Sequence, residues 1–199
     1  MTSPRERMVV SAALLIRERG AQPTAIADVL EHSGAPRGSA YHYFPGGRTQ
    51  LLCEAVDYAG EYMAGRLDTA RSTLEALDAL FDDYGKQLQR SDFRAGCPVV
   101  AVTVEAGDPA KPDQMKPVIE RAAAAFARWR EVIEARLITD GVPAQRAGAL
   151  AMLIVSSFEG AVVIARAARD LEPLDTVHAQ LRSLISAETR PPARKRSPR

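Results

Sequence analysis

The sequence predicts an all-α protein, with a small three-helix unit at the N-terminal end, a larger helical body, and about nine helices in all. Three observations carry this expectation. Apolar residues recur every three or four positions almost throughout, and no stretch alternates with a period of two for long enough to form a sheet. The apolar stretches are separated by turn chemistry: Pro45-Gly46-Gly47, Gly96-Cys97-Pro98, Gly107-Asp108-Pro109, Asp140-Gly141-Val142-Pro143 and Glu172-Pro173. The composition is 46% hydrophobic and 26% charged with only 6% aromatic residues and abundant Ala, which suits closely packed helices and excludes a disordered chain or a disulfide scaffold.

In the first helix Met8, Ala12, Leu15 and Ile16 share a face, and Gly20 ends it at the position where glycine is favoured. Thr24 is placed to cap a second, short helix whose Ile26, Val29 and Leu30 face inward, ending at Gly34. A third helix is expected from Pro36, a residue suited to a first turn, to Phe44. The fourth carries Leu51, Leu52, Ala55, Val56 and Ala59 on its inner face. Longer helices follow over roughly 72–90, 98–106, 113–139, 144–169 and 173–188. The expected domains are therefore 1–47, 48–189 and a disordered basic tail over 190–199 that lacks the apolar residues to pack.

The formal net charge of +1 conceals a division along the chain. Residues 1–50 carry six Arg against four acids, residues 51–189 are net acidic, and the last ten residues hold five basic groups and no acid. A basic head on an acidic body makes the head the candidate for a polyanion. The start of the chain has no charged segment leading into an apolar run and cleavage site, which predicts a cytoplasmic protein. The most apolar stretch, Ala147–Ala165, has the length of a membrane span, but Glu159, Ser156 and Ser157 argue for a buried helix. Cys53 and Cys97 form no C-x-x-C pair, and His32, His42 and His178 have no partner at metal-ligand spacing, so no metal is expected.

The informative segment is Thr24–Arg48, where two short helices meet at Gly34-Ala35, a spacing suited to a helix-turn-helix. Arg37, Gly38, Ser39, Tyr41, His42 and Tyr43 together form a polar edge that packing alone would not require. In the major groove, Arg37 can donate two hydrogen bonds to guanine O6 and N7. Small Gly38 and Ser39 let the backbone approach the base edges. The Tyr41 and Tyr43 hydroxyls suit phosphate oxygens, and His42 can donate to a base or a phosphate. N–H groups behind Thr24, and Arg48 at the start of the fourth helix, are further phosphate candidates. The plainer alternatives are that Phe44, four residues after Ala40, and Tyr43 belong to the core, and that Tyr41 is a partly buried interface residue.

This block resembles the N-terminal DNA-binding domain of the TetR/AcrR family of transcriptional regulators. The likeness runs from about Met8 to Val56 and rests on Gly34, Gly38, Ser39, Tyr41, Tyr43 and Phe44. Pro36 departs from the pattern, because the family usually has a capping Ser or Thr there. Pro45-Gly46-Gly47-Arg48 and Gly96-Cys97-Pro98 resemble the branch grouped with the LmrA and YxaF repressors. The resemblance implies a homodimeric repressor that binds a near-palindromic operator in double-stranded DNA and is released by a small-molecule effector.

A single head reads few base pairs, so two heads one DNA turn or a multiple apart are expected. The helix from Ala147 to Ala165 is apolar nearly all round and must be covered on both sides. Leu150, Leu153, Ile154 and Phe158 are expected to face the subunit's own core, and Val155, Val162 and Ala165 the partner. With segment 173–188, this helix resembles the family's dimerisation surface. The resemblance also implies an effector pocket, for which the candidate lining is Tyr62, Met63, Phe81, Tyr84, Phe93, Val102, Phe126, Trp129 and Phe158. Such residues are equally those of an ordinary core. Trp129, the sole Trp, is placed at a core edge, and Glu105 could balance a cationic ligand. Cys97 reads by default as a small buried thiol. Two other classes fit less well. A helical enzyme would need a nucleophile elbow, a P-loop or a dinucleotide fingerprint, and none occurs. A partner-binding module without DNA binding would not need Arg37, Tyr41 and Tyr43 together.

Overall fold

The structure, a computed structural model, describes residues 3–105 and 115–189. The basic tail and the Gly107-Asp108-Pro109 break lie outside the described residues. Nine helices are found within them: α1 Pro4–Arg19, α2 Ile26–Ser33, α3 Ala40–Tyr43, α4 Gly47–Thr69, α5 Thr73–Arg90, α6 Pro98–Val104, α7 Lys116–Thr139, α8 Ala144–Ala168 and α9 Glu172–Glu188. No strand occurs among the described residues.

The head is built from α1, α2 and α3 against the first half of α4. Helix α1 starts with a capping box in which the Ser3 hydroxyl accepts from Glu6 N and the Glu6 carboxylate accepts from Ser3 N. Its Met8, Ala12 and Ile16 are fully buried, whereas Leu15 is half-buried. Gly34 ends α2 at φ 64°, ψ 22°, the left-handed conformation that a side chain with a Cβ adopts at a cost. Phe44 anchors the segment that follows. It is buried in the head core with the Arg5 guanidinium 5.3 Å from its ring centroid.

Two local expectations fail here. Thr24 does not cap α2: the N-cap is Ala25, whose N–H is taken by the Asp28 carboxylate at 2.9 Å. Thr24 is only 1% exposed, and its hydroxyl donates to Gly20 O at 2.7 Å. The expected helix from Pro36 shrinks to Ala40–Tyr43, because Pro36 to Ser39 form a turn. In that turn Pro36 O accepts from both Ser39 N, at 2.9 Å, and Ser39 Oγ, at 2.6 Å. A serine hydroxyl that bonds locally competes with helical continuation.

The body places α7 between α4 and α8, and α9 against α5 and α8. Short α6 fills the space between α1, α4 and α7. Helix α8 is long and apolar enough to cross a membrane by length and composition, but half of that stretch is buried inside the protein. Its Leu150, Ile154 and Phe158 enter the core as expected. A single continuous apolar cluster joins head and body, running from Met8 through Leu51 and Trp129 to Ile185. The head is thus packed on the body rather than tethered to it.

Candidate functional site

The turn from Pro36 to Ser39 and the one-turn α3 form an outward-facing edge. Arg37, Gly38, Tyr41 and His42 are exposed, Tyr41 at 73%. Ser39 and Tyr43 are half-buried, and Ala40 and Phe44 point into the head core. Ala40 and Phe44 anchor this segment in the head core while Arg37, Tyr41 and His42 face outward. The His42 and Tyr43 rings meet edge-on at 5.3 Å.

The head arginines separate into two kinds. Arg5 pairs with Glu54 at 2.7 Å and Arg19 with Asp28 at 2.8 Å. Arg7 donates to Ser33 O and Arg17 to the Gln87 side chain. Among the described residues, Arg37 is the head arginine with neither an ion pair nor a hydrogen bond. Its charge is therefore not neutralised locally.

Arg48 is placed differently from its expected phosphate role. Its guanidinium donates to the backbone carbonyls of Thr24, Ala21 and Gln22, in the turn between α1 and α2. Burial pulls the Arg48 pKa below the usual arginine value, an effect the Glu105 carboxylate opposes. Glu105, expected as a ligand counter-charge, grips the same turn from the other side. It accepts from Ala21 N at 2.6 Å and Gln22 N at 2.7 Å. The approach is so close that a Cβ on Gly20, whose φ is 93°, would collide with Glu105 Oε1. The Thr24 hydroxyl and the Arg48 guanidinium are both taken up by backbone carbonyls, and the Glu105 carboxylate by backbone N–H groups. All three fix the turn that positions α2.

Glu105 follows α6, so this contact ties body to head. Two further hydrogen bonds do the same at the end of α1: Gly96 N donates to Arg17 O, and Arg166 of α8 donates to Glu18 O, both at 2.8 Å. Removing the carboxylate in Glu105→Ala takes away two charge-assisted bonds, and we expect it to cost about 2 kcal/mol. Urea unfolding checks this through a lowered midpoint at unchanged slope.

A cavity of about 230 Å³ lies between α1, α4, α5, the start of α6 and α7. Of the residues singled out in the sequence, Tyr62, Met63, Tyr84 and Trp129 line it. Trp129 is not at a core edge: it is 3% exposed, and its indole N–H donates to Gly60 O at 2.8 Å. The others lie elsewhere. Val102 is wholly buried in the α6 packing. Phe93 sits in the turn after α5 at φ 56°, covered by the Arg169 guanidinium 5.9 Å from its ring centroid. Phe158 packs edge-on against Phe81 and Tyr84, behind the wall. Phe126 lines a separate, more open groove with Arg130, Met152 and Val155 between α7 and α8.

Sequence reasoning missed Arg17, Tyr58, Arg66 and Gln87, which also line the cavity. A signal for the first was present: Val10, Ala13, Leu14 and Arg17 share a helical stripe, so an arginine continues an apolar face.

The apolar face that α8 leaves uncovered consists of Met152, Leu153, Val163 and Ile164, each between 44% and 56% exposed. Val162 and Ala165, expected to touch a partner, are fully buried within the subunit, and Val155 is half-buried. Leu153, expected in the core, is outside it. A helix that is apolar all round gives no sequence signal for which stripe faces inward, and two of the three assignments fall on the wrong side.

Deep in the body lies Glu159. Burial raises its carboxyl pKa to about 7, the nearby Cys97 thiol offsets part of that effect, and neither carboxylate oxygen meets a hydrogen bond of ordinary geometry. Cys97 is buried, and burial together with the Glu159 charge pushes its thiol well above the usual cysteine value. That is the condition of an inert thiol, not a nucleophile.

A helix-turn-helix head with an outward polar edge, packed on a helical body with a partly open cavity, defines a class of one-component DNA-binding regulators. Comparison with known proteins gives the same class. The family described as "Transcriptional regulator LmrA/YxaF-like, C-terminal domain" matches residues 73–180. An HTH-type transcriptional regulator of Mycobacterium tuberculosis is 65% identical over 94% of this chain and 97% of its own length. The HTH-type transcriptional regulator LmrA of Bacillus subtilis is 27% identical over 85% of this chain and 90% of its own. The crystal structure of the regulatory protein TetR from Rhodobacter sphaeroides superposes with a TM-score of 0.75 at 22% identity, covering 91% of this chain and 98% of that one. A TetR transcriptional regulator from Chloroflexus aurantiacus superposes with a TM-score of 0.70 at 29% identity, covering 93% and 95%. The chain belongs to the TetR family of transcriptional regulators, in its LmrA/YxaF-like branch.

Proposed function

We propose that this chain is a dimeric repressor that acts in the cytoplasm, holds a near-palindromic operator through the Arg37–Tyr43 edge of each subunit, and leaves it when a small molecule fills the body cavity. The observation that carries the DNA contact is Arg37, exposed and without a partner beside exposed Tyr41 and His42. Arg37 reads a guanine edge, Gly38 permits close approach, and the Tyr41 and Tyr43 hydroxyls with His42 hold phosphates. Residues 1–47 form the DNA-binding unit and 48–189 the regulatory body.

The exposed apolar pairs Met152–Leu153 and Val163–Ile164 of α8, with α9 beside the helix, support the assignment of the dimer surface, since exposed apolar patches mark interfaces. Release follows from the shared wall. The cavity is bounded by α1 and α4, both of which support the head, and Glu105, Gly96 and Arg166 clasp the end of α1. A ligand that fits better when α1 and α4 are displaced shifts the spacing of the two reading edges, because coupling is differential affinity for two states. No catalytic role is assigned to any residue.

A gel shift with DNA flanking the chain's own gene tests the reading. A retarded band that weakens steeply with added salt is the expected result. Equal, weak binding to any duplex of the same length would contradict it.

A further inference from the structure

The cavity carries a charge imbalance that points to its occupant. Three charged side chains reach its wall: Arg17, Arg66 and Asp83. Arg66 and Asp83 form an ion pair with each other, which leaves Arg17. Arg17 Nη1 donates to Gln87 Oε1 at 2.6 Å, while its Nε is buried and finds no acceptor. No carboxylate pairs with Arg17 among the described residues. A guanidinium receives a carboxylate through parallel charge-assisted hydrogen bonds, and apart from its bond to Gln87 that of Arg17 has no partner among the described residues, so its charge is uncompensated at the wall. The rest of the wall suits a flat apolar body. Tyr58 and Tyr62 stack at 6.3 Å and 27° and are partly exposed, and Met63 and the Trp129 ring lie further along. A volume of about 230 Å³ is below the usual drug-sized range and limits that body to a small ring system.

We propose that the effector is a small aromatic carboxylate, its anionic group on the Arg17 guanidinium and its ring among Tyr62, Met63 and Trp129. This rests on the reading of the chain as a ligand-released regulator, and it deepens it. Arg17 belongs to the last turn of α1, and its own carbonyl accepts from Gly96 N, so an anion seated there acts directly on the helix that joins head to body.

The test uses the full chain with two probes of one shape, 1-naphthoate and the neutral 1-naphthamide, titrated by calorimetry while emission of the sole Trp, Trp129, reports entry into the cavity. The expected result is at least about tenfold tighter binding of the acid, with a change in Trp129 emission. In Arg17→Met the ratio falls to about one while the amide still binds, and Arg17→Lys restores part of the preference. Equal affinity of the wild type for acid and amide, no acid binding at millimolar concentration, or a preference that survives in Arg17→Met would each overturn the proposal. The wild-type ratio stands by itself should Arg17→Met fail to fold. A gel shift without either probe is run in parallel. A chain that binds DNA without preferring the acid refutes the carboxylate alone, and one that prefers the acid through Arg17 but binds no DNA refutes the regulator reading alone.

Discussion

Replacing Arg37 by alanine is expected to weaken operator binding by about 1–3 kcal/mol in each subunit, and so by roughly 30-fold to more than 10,000-fold in a symmetric dimer. The side chain is exposed and makes neither an ion pair nor a hydrogen bond among the described residues, so thermal stability and dimerisation should be unchanged. That pairing separates a reader from a structural residue. Arg48→Ala gives the opposite pattern: its guanidinium bonds three carbonyls of the α1–α2 turn, and its loss lowers the stability of the head first. Competition with mutated duplexes adds a second readout. Wild type discriminates at the base pair Arg37 reads, and Arg37→Ala tolerates any base there while keeping its preferences elsewhere. Arg37→Ala that binds as tightly as wild type would remove this residue from the interface.

The second large effect concerns Glu159. Its carboxyl pKa is 4.5 ordinarily and about 7 when buried in the native body. Below about pH 4.5 both folded and unfolded chains hold the proton, and the buried group imposes no penalty. As pH rises towards 7 the unfolded chain releases it first, so the native state becomes less stable, and above 7 the whole difference persists, about 3 kcal/mol. Glu159→Gln lacks this titration. The stability of the variant relative to wild type should therefore grow by about 2–3 kcal/mol between about pH 5 and pH 8. For a chain of this size that is an increase of about 5–10 °C in melting temperature at the alkaline end. Thermal melts across that range, with no net change in the difference between the two proteins, would show that the carboxylate is hydrated or paired in the native state.

Much of the fold was legible because helices leave a periodic trace. The spacing of Leu51, Leu52, Ala55 and Val56, or the Asp140–Pro143 break between α7 and α8, leaves little choice of structure. The outward edge was legible for another reason: Arg37, Tyr41 and His42 have no packing purpose in so short a segment. What could not be read was the destination of polar side chains whose partners are remote in sequence. Glu105 and the Ala21–Gln22 turn meet across a large part of the chain, as do Arg48 and Ala21 on a smaller scale, and no local pattern announces either. The orientation of α8 was hidden because Val162 and Ile164 are alike in chemistry, and only packing assigns one inward and one outward. The cavity was hidden in the same way, since Trp129 and Phe158 are both aromatic and buried, yet only Trp129 borders the cavity beside Arg17.

Paired copies of the Arg37–Tyr43 edge should read two half-sites in duplex DNA, and the proposed release by a small molecule depends on that pairing. Selection of bound duplexes from a randomised pool by the full-length protein addresses it directly, because no operator sequence has to be assumed. The expected outcome is enrichment of an inverted repeat whose halves are separated by one helical turn or a multiple of it, bound by one dimer per site, and lost from the selected pool when Arg37→Ala is used. Enrichment of no sequence, or of a single half-site bound by one subunit, would contradict it.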